Sequence, residues 1–254
     1  MLILLPPSET KRDGGAEGTS LDLAALRFPE LGAARRAVSI ELRKLSSNLA
    51  TMAAALKVGA GQRDELLRNR VVRTSPTMPA IERYTGVLYD ALDASSLPAG
   101  SRALAAAQVA IHSALFGLVA ADDVIPAYRL SHDSGLPTLS LRKVWREPIS
   151  RVLHDYDGLI LDLRSEAYAA LGPRPLRANS FYLRVVAEGS DGATRALNHF
   201  NKKGKGEFVR SLLLAGVDHP DVDSLLGWAA DSGHALSFGK PGELQLEVPN
   251  SLAA

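Results

Sequence analysis

Asn198-His199-Phe200-Asn201-Lys202-Lys203-Gly204-Lys205-Gly206-Glu207-Phe208-Val209-Arg210 is the stretch on which the reading of this chain turns. Three lysines and two glycines fill the five positions 202–206. Residues 194–200 read as a strand and 208–215 as a helix. Glycine lets a backbone turn tightly and approach a ligand closely. Amides at the start of a following helix point at an anion. The spacing therefore predicts a phosphate-binding hairpin. Lys202, Lys203, Lys205 and Arg210 would supply charge, and the Gly204 and Gly206 amides would set the register. The segment lacks the spacing of a Walker loop and of a Rossmann fingerprint. Its nearest generic likeness is the Gly-x-Gly turn of a helix–hairpin–helix DNA-binding element, although the upstream run reads as strand. A solvated surface turn is the bland alternative.

Working outward, 158–163 (Gly-Leu-Ile-Leu-Asp-Leu) and 181–188 read as strands. Gly189-Ser190-Asp191-Gly192 reads as the hairpin turn between the latter and the next strand. Residues 234–238 and 243–248 read as a closing strand pair. At the other end, Leu2-Ile3-Leu4-Leu5 predicts a central strand closed by Pro6-Pro7, and 8–20 a polar, glycine-rich loop. Leu42, Leu45, Leu49, Met52 and Leu56 recur at three- and four-residue spacing, which predicts an amphipathic helix over 33–57. Helices are also predicted over 63–73, 80–92, 141–153, 167–171 and 221–228. Residues 104–116 are helix then strand, or strand alone; periodicity leaves both open. The fold class is α/β. We expect one compact domain over 1–254, with a mixed β-sheet flanked by helices and a helix–hairpin–helix-like element.

The chain has 254 residues, enough for a substantial core. Its net charge of +1 excludes a polycation, so any nucleic-acid affinity must come from a local basic patch. With no cysteine, it has no disulfides, thiolate metal sites or thiol redox chemistry. The opening apolar run is too short for a signal peptide, and no apolar run approaches a membrane span. A cytoplasmic location without membrane contact is the expectation.

Other polar groups sit at predicted strand ends, where α/β folds place ligand crevices. Ser8-Glu9-Thr10-Lys11 follows the first strand, and Lys11 suits a phosphate or carboxylate. Arg164-Ser165-Glu166-Ala167-Tyr168 follows another. Ser165 reads equally as a helix cap, with Glu166 favouring the helix N-terminus. Glu9, Ser165, Glu166 and Tyr168 are the candidates for catalysis. Tyr128-Arg129 and Arg83-Tyr84 pair a cation with an aromatic ring, which can stack on a base or bridge core and surface. The six histidines lack the spacing of a helical metal site, so no metal is expected, and no cofactor either.

Taken in order, these segments resemble the YaaA family of peroxide-stress proteins. The likeness rests on Met1–Lys11, on the run from Ala80 to Tyr89, on Ser113 to Leu118, and on Pro126-Ala127-Tyr128-Arg129-Leu130. Trp145, the Leu163–Tyr168 segment and the lysine–glycine stretch with Arg210 complete it. Arg164 stands where the family has a small residue, Ala127 interrupts Pro-Tyr-Arg, and similarity is weak between Lys11 and Pro76. The resemblance implies a single α/β fold with a helix–hairpin–helix-like element. It also implies binding to double-stranded or branched DNA and a role in limiting peroxide damage.

Two functions follow. One is a DNA-binding stress protein holding phosphates with Lys202, Lys203, Lys205 and Arg210. The other is an enzyme on a nucleotide or nucleobase glycoside, with Lys11, Arg129, Ser165, Tyr168 and Lys202 converging on a cleft. Whether the protein is an enzyme stays open at this point. A closed pocket favours the second function; a flat face carrying 202–210 favours the first.

Overall fold

The structure, a computed structural model, describes residues 1–59, 63–188, 194–195 and 198–248. Its elements run in chain order β1 (Leu2–Leu5), α1 (Gly32–Leu45), α2 (Leu49–Ala55), α3 (Arg63–Arg70), β2 (Met78–Pro79), α4 (Ala80–Arg83), α5 (Val87–Leu92), α6 (Ala99–Gln108), β3 (Val109–Ser113), β4 (Gly117–Ala120) and β5 (Val124–Ile125). There follow α7 (Leu141–His154), β6 (Ile160–Asp162), α8 (Glu166–Ala169), β7 (Ser180–Glu188), β8 (Thr194–Arg195), α9 (Asn198–Ala215), α10 (Val222–Asp231), β9 (Ala235–Phe238) and β10 (Glu243–Glu247).

The main sheet has the order β4-β3-β1-β6-β7-β10-β9, with β8 paired to β7. β1 runs parallel to both β3 and β6, β6 to β7, and β7 to β10. β4 and β9 are antiparallel edges. A short β2–β5 pair stands apart. The all-apolar Leu2–Leu5 run is buried along its length, as expected of a parallel strand covered on both faces. From β1 the chain first builds one flank, β3 and β4, and then the other, β6, β7 and β10. That reversal leaves a crevice at the carboxyl ends of β1, β3 and β6.

Helices α5 and α6 each pack on α9, and α1 packs on α7. Trp145 of α7 is fully buried and donates Nε1–H to the Ala114 carbonyl at 2.9 Å. α7 continues through Pro148 as one helix. The ambiguous 104–116 segment is helix and then strand, meeting at Gln108–Val109. The predicted 80–92 helix is two short ones, because Gly86 takes φ 102, outside helical space. That break leaves Tyr84 extended, bridged backbone to backbone with Lys11.

The helix–hairpin–helix expectation is corrected here. Asn198–Ala215 is one continuous helix, where the sequence predicted a strand, a turn and a helix. Strand β8 covers only Thr194–Arg195. The predicted turn at 189–192 lies outside the described residues. Two physical causes make the helix. Gly204, Lys205, Phe208, Val209, Leu212 and Leu213 are buried at helical spacing, one stripe that runs through the glycines. The glycines then permit close approach. A Cβ on Gly206 would stand 2.2 Å from the Leu88 carbonyl oxygen of α5, and one on Gly204 would stand 2.9 Å from Val248 Cγ1. The glycines thus serve contact with α5 and the sheet.

Gly206→Ala should therefore destabilise the fold by about 1–3 kcal/mol through overpacking against α5. Gly227→Ala, in α10 with open space around it, should be neutral or stabilising by up to ~1 kcal/mol. Urea denaturation of the two variants measures the contrast. Equal midpoints would refute the packing role of Gly206.

Candidate functional site

The loop leaving β1 turns back so that Lys11 is buried. Arg83, fully buried on α4, holds the loop from beneath. Its guanidinium donates to the carbonyls of Arg12 (2.5 Å), Gly14, Pro76 and Ile125 (each 3.0 Å). Lys11 Nζ donates to the Ser8 and Glu9 carbonyls, each at 3.0 Å. It also stands 4.3 Å from the Tyr128 ring centroid and 5.4 Å from that of Tyr84. Burial, reinforced by the neighbouring Arg129 charge, lowers the Lys11 ammonium from 10.5 to about 7. Glu65 and Glu9 oppose the shift without cancelling it.

Arg129 bridges two carboxylates, Glu9 Oε2 at 3.1 Å and Glu65 Oε2 at 3.1 Å. Asn69 clamps the Arg129 backbone, accepting its N–H and donating to its carbonyl, both at 2.8 Å. Behind Lys11 three hydroxyls are linked: Tyr84 to Tyr128 at 2.8 Å and Tyr128 to Ser113, at the end of β3, at 2.7 Å. Burial pushes the Tyr84 and Tyr128 hydroxyls well above their ordinary value of 10, so both stay protonated. Tyr89 donates to the Pro6 carbonyl at 2.7 Å.

At the end of β6, Asp162 grips the buried Arg164 through Nε at 2.8 Å and Nη2 at 2.7 Å. Arg164 Nη1 lies 3.0 Å from His112 Nδ1 on β3. Burial first, then the Arg164 charge, hold His112 well below 6.5, so it is neutral. Arg164 must then donate to Nδ1, which leaves the ring proton on Nε2. Lys205, from α9, donates to the Leu163 carbonyl at 3.0 Å and lies 5.3 Å from the Tyr182 ring centroid. Burial lowers its ammonium from 10.5 to about 8, against the opposing pull of Asp162. Two buried lysines of lowered basicity thus meet the carboxyl ends of neighbouring strands, β1 and β6.

Among the residues singled out from sequence, Lys11, Glu9 and Arg129 come together. Tyr168 is buried, 5.2 Å from the His132 ring and 5.4 Å from the His112 ring. Ser165 caps α8, accepting the Tyr168 N–H at 3.4 Å. Glu166 is exposed and reaches Arg184 at 3.4 Å. Lys202 is exposed, and Lys203 pairs with Glu207 one turn on. Arg210 donates to the Leu92 and Asp93 carbonyls at 2.9 Å, closing the end of α5. Sequence reasoning missed Ser113, His112, Asp162 and the role of Arg164. One usable signal was tyrosine placement, since Tyr84, Tyr89, Tyr128 and Tyr168 all lie in the family-like segments.

An open cleft of about 410 Å³ runs beside the cluster, lined by Asp13, Asp64, Glu65, Arg68 and Ala127. Among the described residues no group of three or more His, Asp or Glu side chains is arranged to hold a metal. None of the described helices is long and apolar enough to cross a membrane.

The family model described as "Peroxide stress protein YaaA" matches residues 1–234. A UPF0246 protein of Corynebacterium glutamicum is 42% identical over 238 residues, covering 92% of this chain and 93% of the relative. A UPF0246 protein of Corynebacterium efficiens is 45% identical over 218 residues, covering 84% of each. One from Streptomyces coelicolor is 40% identical over 247 residues, covering 95% of this chain and 94% of that relative.

The Lys11 shift has a consequence for stability. Between pH 7 and 10.5 the unfolded chain keeps a proton that the native lysine has released. Native stability therefore rises with pH in that window, by up to ~1.4 kcal/mol per unit. The burial penalty is fully present below pH 7. Lys205 adds a second contribution of the same sign above pH 8. Lys11→Met should flatten the rise between pH 7 and 8, measured by urea denaturation across pH. An unchanged slope would show that Lys11 titrates normally.

Proposed function

The chain belongs to the peroxide stress protein YaaA family, and on that premise we propose that it acts as an enzyme on a nucleotide-like small molecule. The site is the lysine–tyrosine cluster at the carboxyl ends of β1, β3 and β6. The observation that carries this reading is Lys11, buried at the end of the central strand beside Arg129, with a pKa of about 7. An exposed lysine on a nucleic-acid surface is protonated at neutral pH and serves only as a charge. A lysine that gives up its proton near neutrality has a free electron pair and suits a general base or nucleophile. Perturbed basicity of this kind concentrates at functional sites. Arg129 can take an anionic group of the ligand in place of the exposed Glu9 carboxylate, and the neighbouring tyrosines favour a flat ring. Together they support a nucleotide or nucleobase glycoside as the substrate class. With no cysteine in the chain, a part in peroxide stress is indirect, through this ligand and not through a thiol.

DNA binding is the second reading, and the observation favouring it is the exposed Lys202 on the opening turns of α9. Duplex contact there would use helix amides and surface lysines. The glycine–lysine pair behind it, Gly204 and Lys205, is buried and does not offer a hairpin.

The two readings separate in a thermal-shift screen of nucleoside monophosphates, nucleosides and short duplexes. A ligand of the native state raises the melting temperature by mass action. The expected outcome is a shift with a nucleoside monophosphate that Lys11→Met abolishes and Lys202→Glu retains. A salt-sensitive shift with duplex alone, lost in Lys202→Glu, would replace the enzyme reading by the DNA-binding one.

A further inference from the structure

The open cleft beside the lysine cluster has an apolar floor. Leu67, on α3, and Val71, just past its end, lie one helical turn apart, and both line the cleft with Pro76 and Ala127. They are 44% and 49% exposed. One exposed aliphatic side chain is ordinary, but two sharing a concave face point to a binding surface. A cleft of about 410 Å³ suits a small ring system. It is continuous with the proposed site. Glu65 lines it and holds Arg129, and the charges of Glu65 and Arg68 both act on Lys11.

Most side-chain polar groups around that floor are already engaged. Arg68 pairs with both carboxylate oxygens of Asp13, each at 2.9 Å. Ser75 gives its proton to the Val71 carbonyl at 2.9 Å. Glu65 Oε2 faces Arg129 Nη1 at 3.1 Å. Among the described residues Glu65 Oε1 and both oxygens of the exposed Asp64 have no partner. An ionised carboxylate only accepts hydrogen bonds. The cleft therefore offers a ligand apolar contact and acceptors, and among the described side chains no free donor.

We propose that this cleft seats the base of the nucleotide, that Leu67 and Val71 pack on its face, and that Asp64 selects guanine. The inference rests on the nucleotide reading of the lysine site and names the base. Guanine presents N1–H and an amino group side by side, and two adjacent donors match the two oxygens of one carboxylate. Uracil flanks its single N–H with carbonyls, which a carboxylate repels. A phosphate is excluded from the cleft by the same acids, so the ligand enters base first and leaves its anionic end towards Arg129.

Titration calorimetry of the full-length protein with guanosine, inosine and uridine monophosphates tests the assignment. Guanosine monophosphate should bind roughly tenfold or more tighter than uridine monophosphate, the worth of a hydrogen bond to a charged acceptor. Inosine monophosphate, which keeps N1–H but lacks the amino group, should fall between them. Asp64→Ala should remove the preference. Val71→Arg, at a position exposed enough to leave the fold intact, should fill the cleft and weaken guanosine monophosphate roughly tenfold. Folding of each variant is checked by its thermal transition. In the wild-type complex, nuclear Overhauser contacts should join guanine H8 to the Leu67 and Val71 methyl groups. Nucleotide binding that Lys11→Met abolishes, but that is equal for the three bases or indifferent to Val71→Arg, overturns this inference alone. Failure of all three nucleotides to bind the wild-type protein overturns it together with the nucleotide reading.

Discussion

The interaction on which this structure depends is the buried cation held by backbone carbonyls. Arg35 and Arg83 are fully buried, and among the described residues neither makes a carboxylate hydrogen bond. Arg35 donates to the carbonyls of Leu26, Arg27, Phe116 and Leu118. Arg83 collects those of Arg12, Gly14, Pro76 and Ile125. An unpaired charge in the interior costs several kcal/mol, so each guanidinium holds its loops in the one arrangement that satisfies its donors. The polar 8–20 segment is ordered for this reason. Arg83 pins it from one side, and the Ala16–Thr77 bridge ties it further along.

Lys11 and Lys205 extend the same device to chemistry. Lys11 donates to two carbonyls and Lys205 to one, but an ammonium so placed has little water around it, and its basicity falls. An arginine in either position would stay protonated; a lysine becomes a group that changes charge near neutral pH. The two are brought to neighbouring strand ends by different means. Lys11 arrives on the loop of the central strand. Lys205 arrives because Gly204 and Gly206 let α9 sink between α5 and the sheet. The glycines that looked like ligand-facing turn residues are what allow the lysine between them to be buried.

Much of the fold was legible along the chain. The opening strand, the Gly158–Leu163 strand, the closing pair and the 141–153 helix follow from local hydrophobic pattern, and the structure contains all of them. The lysine–glycine segment was misread for a definite reason. Local propensity gives glycine and lysine no place in a buried helical stripe, since their burial depends on how near α5 and the strands come. The split of 80–92 into two helices turned likewise on a single positive φ at Gly86.

For the site, residue types at strand ends pointed to Glu9, Lys11, Arg129 and Tyr168 as polar groups beside a crevice. That much is a property of order along the chain, because parallel strands deliver their carboxyl ends to one edge. The pairing of Arg164 with Asp162 and His112, the hydroxyl chain from Ser113 to Tyr84, and the separation of Lys205 from Lys202 are not properties of order. They arise where segments far apart in sequence exclude water together. There a lysine loses basicity, an arginine needs several carbonyls, and a serine whose lone pairs are taken by two amides gives its proton to a tyrosine. Hydrophobic periodicity written into the chain was enough to specify an α/β sheet; the chemistry of its charged groups was decided only by what the folded neighbours left for them to bond.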